Sequence, residues 1–481
     1  MDVVFISPPE THSIENSLPE QLQQGAGVYP KLGLLYVAAY YEFASGNRSD
    51  YIDAPALGLD YAQFEEEIRK RPIDVAAISV LTFNLIDSCR AAELVKKYHP
   101  GAKVVFGGHH ANYYPAETAN LTQVDYVLTG DGEISFSRLI KAIERGERRE
   151  ELSAIAGLSW SDSFQSNVSE GKGDAGNLDD LPFPARHLIN LSNYNNLIGA
   201  SDVTATIQSS RGCPFACTFC DIRRTEFRWR DPQNVVDEVE ALAEQGIKDF
   251  FFVDDTITIR KKRVHEICEE ISRRGIKIQF KISSRVDCIT EDLLGALKKA
   301  GCYRIHYGVE SAVQRSLDYL EKGINLDLVR RVFRQTHEAG IGTYAYMMIG
   351  IPGETREEME QTFDFAIELN PDYCQFSICT PYPKTELYER MLRDGIIPYD
   401  YWQEFAENPR EGFKVKFWNP DFDEEQLREI QQQGLRKFYR RPKFVLKELT
   451  RVRTATDFVR KISMGVNLLL RRRKKATSAA T

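Results

Sequence analysis

The sequence predicts an α/β protein built from two parallel-sheet units. An N-terminal doubly wound (Rossmann-like) domain precedes a (β/α)6 partial TIM barrel, and a C-terminal helical extension follows. Three observations predict this. Short apolar β-rich runs alternate with helical patterns through the first 150 residues, six further strand–helix units begin at residue 204, and strand patterns cease near residue 400. At 481 residues the chain is also too long for one core. The expected divisions are 1–150, a hairpin and linker over 151–200, the part-barrel over 201–400 and the extension over 401–481.

In the first unit, VVFIS (3–7), DVAAISV (74–80), KVVFGG (103–108) and DYVLTG (125–130) read as strands, with helices at 32–45, 60–71, 85–99 and 132–146. Apolar strands each followed by a helix give right-handed βαβ units, and ligands of such sheets lie beyond the strands' carboxyl ends. Those ends carry Ser7-Pro8-Pro9, Ser79-Val80-Leu81, Gly107-Gly108 and Gly130-Asp131-Gly132. One glycine there merely ends a strand, whereas four small or flexible ends together predict a binding crevice. The second unit has strands at 204–210, 249–254, 278–284, 304–310, 343–350 and 373–380, with helical patterns between them. Six such units predict a barrel whose chemistry sits at the strands' carboxyl ends.

Apolar residues make up 42% and charged residues 27%, as in ordinary globular proteins. The start MDVVFISPPE has neither the basic flank nor the apolar run of a signal peptide, and no stretch of 18 apolar residues occurs, so a cytoplasmic protein is expected. Nine cysteines, three of them clustered, fit a reducing compartment with a metal or redox site. Between Arg436 and Lys475 fifteen Lys or Arg face two acids; with a chain total of −8, that +13 tail leaves −21 on the rest. An acidic body argues against nucleic acid as a partner. The tail reads either as a helix packed on the barrel or as a cationic amphipathic anchor touching an anionic membrane surface peripherally.

The run RGCPFACTFCD spaces Cys213, Cys217 and Cys220 by four and three residues. Thiolates suit iron–sulfur clusters or zinc. A closed zinc site needs a fourth ligand, and the next thiol, Cys268, falls in a helical pattern. Three thiols on one loop can instead hold three irons of a four-iron cluster. This C-x-x-x-C-x-x-C motif, with the aromatic Phe219 before its third cysteine, resembles the signature of the radical S-adenosylmethionine (radical SAM) superfamily. The resemblance implies a [4Fe-4S] cluster on the three cysteines, with S-adenosylmethionine (SAM) chelated at the open iron. It also implies reductive cleavage of SAM to a 5′-deoxyadenosyl radical, fed by a reduced flavodoxin or ferredoxin-type donor. Further roles follow from it. Asp254 and Asp255 would receive the SAM amino group. The segment Ser283-Ser284-Arg285 would meet its carboxylate and ribose, Glu310 would face the cofactor, and Gly350 and Gly353 of IGIPGE would admit the adenine.

The first unit resembles the cobalamin-binding domain of many radical SAM enzymes, with Ser79 and Leu81 matching its S-x-L and Gly107-Gly108 its glycine pair. The resemblance implies bound cobalamin; the alternative is a vestigial domain. The D-x-H-x-x-G motif is missing and His12 lies in its loop without it, which implies cobalamin with no protein imidazole on cobalt. His109 and His110 read as a polar loop lining the crevice, with cobalt ligation the alternative. The six scattered cysteines, Cys89 to Cys379, are expected to pack as small hydrophobes. The whole resembles the group of cobalamin-dependent radical SAM methyltransferases, the anaerobic magnesium-protoporphyrin monomethyl ester cyclase and hopanoid-pathway enzymes. That implies an enzyme that methylates an unactivated carbon of an apolar or amphiphilic small molecule, or one that cyclises a tetrapyrrole or lipid-like substrate oxidatively. A non-enzymatic cobalamin or iron–sulfur sensor would have no need of the full set of SAM-facing motifs.

Overall fold

The computed structural model describes residues 1–14, 28–162, 165–194, 199, 201 and 203–450. Its first sheet contains β1 (Val3–Ser7), β2 (Asp50–Asp53), β3 (Val75–Ser79), β4 (Lys103–Gly107) and β5 (Tyr126–Leu128), followed by a hairpin, β6 (Leu158–Asp162) and β7 (Gln165–Val168). The spatial order is β2-β1-β3-β4-β5-β6-β7. Pairing is parallel as far as β5 and antiparallel beyond it, so the hairpin extends the sheet. Helices α1 (Leu32–Ser45), α2 (Tyr61–Lys70), α3 (Leu85–Tyr98) and α4 (Gly132–Glu144) fall where the sequence places them. Their ends are chemically marked: Asp60 and Gln63 cap α2 reciprocally, and Gly46, at φ 73°, closes α1.

The second sheet runs in chain order through β8 (Thr204–Ile207), β9 (Asp249–Phe252), β10 (Gln279–Ser284), β11 (Cys302–Glu310), β12 (Gly342–Ile349) and β13 (Tyr373–Ile378), every pair parallel. Between these strands lie α5 (Pro232–Glu244), α6 (Lys261–Arg273), α7 (Glu291–Ala300), α8 (Leu326–Glu338) and α9 (Arg356–Leu369). β8 and β13 do not pair, so the barrel stays open, as a six-unit series predicts. Strand alternation sends Phe280, Ile282, Ile305 and Tyr307 outward into the core under the helices, leaving Lys281, Ser283, Arg304 and His306 on the inner face.

The free edge of β13 is covered by α10 (Glu424–Tyr439). Gln431 Nε2 donates to the Phe376 carbonyl at 2.7 Å; Tyr439 Oη donates to the Cys374 carbonyl at 2.6 Å and accepts from the Cys374 amide at 3.1 Å. Side chains thus satisfy backbone groups that an edge strand would expose. Gly434 lets α10 approach α9, because a Cβ there would stand 2.2 Å from Phe363. The packed-helix reading of the extension therefore describes it through Tyr439. The basic residues after Thr450 lie outside the described residues.

The two units share one continuous core and are bonded across their seam. Phe83 packs edge-on against Tyr382 at 5.5 Å, and Tyr194 donates to Asp53 at 2.6 Å. Arg211 pairs with Asp131 and Glu133 at 2.9 and 2.7 Å. Cys89, Cys268, Cys288, Cys302, Cys374 and Cys379 are buried free thiols, as expected. Among the described residues no helix is long and apolar enough to cross a membrane.

Candidate active site at the strand carboxyl ends

The loop after β8 carries the three clustered cysteines, all of them free thiols. Gly212 makes its entry possible, at φ 84° with a Cβ position only 2.1 Å from the Glu226 carbonyl. The loop closes on itself: the Cys213 amide donates to Thr225 Oγ1 at 2.8 Å, the Thr225 amide to the Cys213 carbonyl at 3.0 Å, and the Arg224 amide to the Phe215 carbonyl at 2.8 Å. Its middle is tied to the barrel by the Thr218 amide, 2.9 Å from the Leu320 carbonyl. Cys213 and Cys217 are buried and Cys220 is half-buried. Burial pushes the Cys220 thiol up to about 12, with Asp221, Cys217 and Cys213 adding to the effect, so the three sulfurs lie within one another's field. Among the described residues no three acidic, His or Cys side chains converge on a single-ion site. Three soft thiol donors on one loop are the chemistry that the corner irons of an iron–sulfur cluster take.

Around this loop the sequence-predicted residues divide into facing and supporting ones. Asp255 is exposed at the mouth; desolvation by the surrounding chain, then Asp254 and Asp221, push its carboxyl up to about 6. Asp254 turns inward, accepts from the Ser209 amide and hydroxyl at 3.1 and 2.9 Å and from the Ser210 hydroxyl, and so locks the strand end beneath the loop. Ser284 is likewise committed, 2.5 Å from Thr258 Oγ1, while its neighbour Ser283 stands half-buried on the inner face. Arg285 lies over the Phe215 ring at 3.9 Å, donates to Cys217 Sγ at 3.1 Å and is held by Asp287 at 2.8 Å and the Lys322 carbonyl at 2.5 Å. A guanidinium there balances thiolate charge.

Glu310 ends β11 at φ 71°, a left-handed conformation unusual for a side-chain-bearing residue. A buried ion pair holds it, Lys322 Nζ to Oε1 at 2.7 Å, and the same ammonium lies 5.7 Å from the Phe219 ring. Phe219, Lys322 and Glu310 thus connect the cysteine loop to the fourth barrel strand. Gly350 and Gly353 both have positive φ. What crowds Gly350 is Leu427 of α10, 2.8 Å from a hypothetical Cβ, and its carbonyl accepts from Asn419 at 2.9 Å. Gly353 accepts from Arg315 at 2.9 Å.

On the first sheet, Gly108 has φ 101° and packs on the next strand's end; its Cβ would meet the Val80 carbonyl at 2.9 Å and Ser79 Oγ at 3.0 Å. Gly107 has only the Leu128 carbonyl at 3.6 Å, and Leu81 is exposed beside it. His109 lines the mouth, as the polar-loop reading expects. Its Nδ1 is 3.1 Å from Asp221 Oδ2, and the Tyr113 hydroxyl donates to the same oxygen. Asp221 directly follows Cys220, so the crevice and the cysteine loop are one hydrogen bond apart. His110 is instead buried against Thr82 at 3.0 Å, and burial pushes it down to about 3. His12 has Nδ1 2.8 Å from Asp87 and Nε2 3.0 Å from Arg90, both ring nitrogens engaged. No spacing or motif in the sequence marks Asp221, Tyr113 or Lys322.

Comparison with known proteins accords with this geometry. The radical SAM superfamily model matches residues 207–366, which span the cysteine loop, and the B12 binding domain model matches residues 23–140. An uncharacterized methyltransferase of Pyrococcus horikoshii is 31% identical over 457 residues, covering 93% of this chain and 95% of that protein. The anaerobic magnesium-protoporphyrin IX monomethyl ester cyclase of Cereibacter sphaeroides is 30% identical over 78% of this chain and 62% of its own length. Among solved structures, the radical SAM methyltransferase TsrM of Kitasatospora setae superposes with a TM-score of 0.66 at 19% identity, covering 82% of this chain and 79% of that one. OxsB, a cobalamin-dependent SAM radical enzyme, superposes with a TM-score of 0.69 at 16% identity, covering 97% and 72%. The chain belongs to the radical SAM superfamily, as an enzyme of SAM and a [4Fe-4S] cluster whose part-barrel follows a B12-binding domain.

Proposed function

We propose that this enzyme transfers a methyl group from cobalamin to an unactivated carbon of an apolar or amphiphilic small molecule. One observation carries the reading: Asp221, next to Cys220, is bonded to His109, which directly follows the Gly107-Gly108 strand end, and to Tyr113, one helical turn further on. A radical generated at the cysteine loop and a methyl donor in the crevice would then meet in one chamber. When bound, the cluster with SAM supplies the hydrogen-abstracting radical, and cobalamin supplies the methyl group.

In this reading Cys213, Cys217 and Cys220 hold the cluster, and Arg285 offsets its negative charge from the Cys217 side. Asp255 receives the SAM ammonium while Asp254 fixes the strand end behind it. Ser283, on the inner face, joins Ser284's strand end near the SAM carboxylate; Glu310 faces the cofactor; Gly350 and Gly353 shape the adenine loop through their backbone. Ser79, Leu81, Gly107 and Gly108 form the crevice for cobalamin. His12 and His110 are engaged elsewhere, while His109, held by Asp221 through Nδ1 at the crevice mouth, leaves cobalt ligation through Nε2 as the alternative to a cobalt without protein imidazole. The electron comes from a reduced flavodoxin or ferredoxin-type donor. We place the protein in the cytoplasm, with the basic residues after Thr450 touching an anionic membrane surface.

Oxidative cyclisation is the second reading, favoured by the likeness to the cyclase. Methylation ranks first because the methyltransferase relative is matched over 95% of its length and the cyclase over 62%. The test is anaerobic incubation of the reconstituted enzyme with cobalamin, reductant, host metabolite extract and SAM carrying a deuterated methyl group. A product heavier by one labelled methyl supports methylation; a product lighter by hydrogens and unlabelled supports cyclisation.

A further inference from the structure

The inner face of the part-barrel carries a buried cation that no described carboxylate pairs with directly. Lys281 lies on β10 between the outward-packed Phe280 and Ile282 and is 1% exposed. In register beside it are Phe251 of β9 and Arg304 of β11. Its amine makes one hydrogen bond among the described residues, to Tyr29 Oη at 3.2 Å, and lies 4.7 Å from the Phe251 ring centre. No described carboxylate forms an ion pair with it. Asp249, the acid whose field reaches it, accepts from the Thr204 hydroxyl through Oδ2 at 2.8 Å. A buried ammonium without a paired carboxylate is costly, so proteins rarely keep one without use.

Two more inner-face groups are left open beside it. His306, 5% exposed, stacks on Tyr344 at 4.8 Å and has Nδ1 3.1 Å from Tyr346 Oη, while its buried Nε2 has no partner. Burial, then Lys281 and Arg304, drive its basicity far down, so the ring is neutral. In the tautomer in which Tyr346 donates to Nδ1, Nε2 carries the hydrogen and is a donor. Thr206, in register with Phe251, has a buried hydroxyl with no partner. Beside them Phe251, and further along the strands Val253 and Tyr346, all half-buried, offer apolar and aromatic surface.

We propose that Lys281, His306 and Thr206 form the floor of the substrate chamber and recognise an acidic oxygen group, a carboxylate or phosphate, borne on an apolar body. This rests on the part-barrel being the reaction chamber and names the substrate class: an amphiphilic acid. The ammonium supplies the charge, the imidazole N–H and the hydroxyl supply directed donors, and the aromatic wall takes the body.

The test uses three matched probes, 2-naphthoate, 2-naphthyl phosphate and uncharged 2-naphthamide, titrated calorimetrically into cluster-reconstituted protein. One anion or both should bind at one site per chain at least about tenfold tighter than the amide, the factor expected of a charge-assisted hydrogen bond. The preferred anion distinguishes carboxylate from phosphate. Lys281→Met should erase that preference and Lys281→Arg should keep it. Should Lys281→Met fail to fold, His306→Gln should weaken the anion about three- to tenfold and leave the amide unchanged. Equal binding of anions and amide, no binding of any probe, or wild-type affinity in a folded Lys281→Met would overturn the proposal. Formation of 5′-deoxyadenosine by the same wild-type preparation scores the radical reading separately, since probe binding requires no SAM cleavage.

Discussion

Gly107 and Gly108 are neighbours under different constraints. Gly108 combines φ 101° with backbone 2.9 Å from where a Cβ would sit, whereas the nearest atom to a Gly107 Cβ is at an ordinary 3.6 Å. Gly108→Ala should therefore cost about 1–3 kcal/mol of stability and Gly107→Ala well under 1 kcal/mol, measured by denaturant unfolding of the first transition. Asp254 and Asp255 are equally adjacent and equally divided, one locked inward and one at the mouth. Asp255, with its carboxyl pushed up to about 6, is charged above that pH and neutral below it. SAM affinity should thus be full above pH 6 and fall by up to about tenfold per unit below it, by calorimetry on cluster-loaded protein. Asp255→Asn should flatten that profile and lower affinity at pH 8; an unchanged profile would remove Asp255 from the site. The sequence made both carboxylates candidates because an Asp pair at a strand end is visible. Which one faces the mouth depends on Ser209 and Ser210, from the neighbouring strand's end, and that pairing has no sequence signature.

Most elements were legible because their burial pattern is local. The inner strands are apolar runs bounded by glycine or charged turns, and the helices carry their own caps, as Thr355 and Glu358 do for α9. β2 was not, since DYID is four residues long with an acid at each end, and it pairs only because β1 offers it an edge. Nor was the role of α10, whose Gln431 and Tyr439 bond the backbone of β13. Nor was the approach of Leu427 of that helix to Gly350, a contact between residues 77 positions apart. Ending the chain after Leu435 would delete Phe438 and Tyr439 and uncover the strand edge. Such a truncation should aggregate or melt at least about 5 °C lower, while one ending after Thr450 should melt as the full chain does; scanning calorimetry and light scattering read both.

Across the whole molecule, the two units meet where the chemistry would be. Arg211 and Arg228, flanking the cysteine loop, both pair with Asp131 at the end of the first sheet, and Asp221 bonds His109 and Tyr113. The sequence shows two families side by side; it does not show that their strand ends face each other. The basic residues after Thr450, nine Lys or Arg against one acid, add a separate expectation. Each cation near an anionic surface contributes roughly 1 kcal/mol within about a Debye length, so four on one face suffice for salt-sensitive attachment. Full-length protein should cosediment with anionic liposomes at low salt and release at high salt, and the chain ending at Thr450 should not bind; equal sedimentation of both would exclude the tail as the anchor.

The central claim is that Cys213, Cys217 and Cys220 hold a four-iron cluster that cleaves SAM, and one experiment addresses it directly. Anaerobically reconstituted protein should contain about four irons per chain, the content of the cluster type named, and should release 5′-deoxyadenosine from SAM when reduced. Alanine at any of the three cysteines should abolish both, while Cys268→Ala, removing a thiol buried in α6, should abolish neither. Full iron content and SAM cleavage in any one of the three variants, or stoichiometric zinc without iron in the wild type, would contradict it.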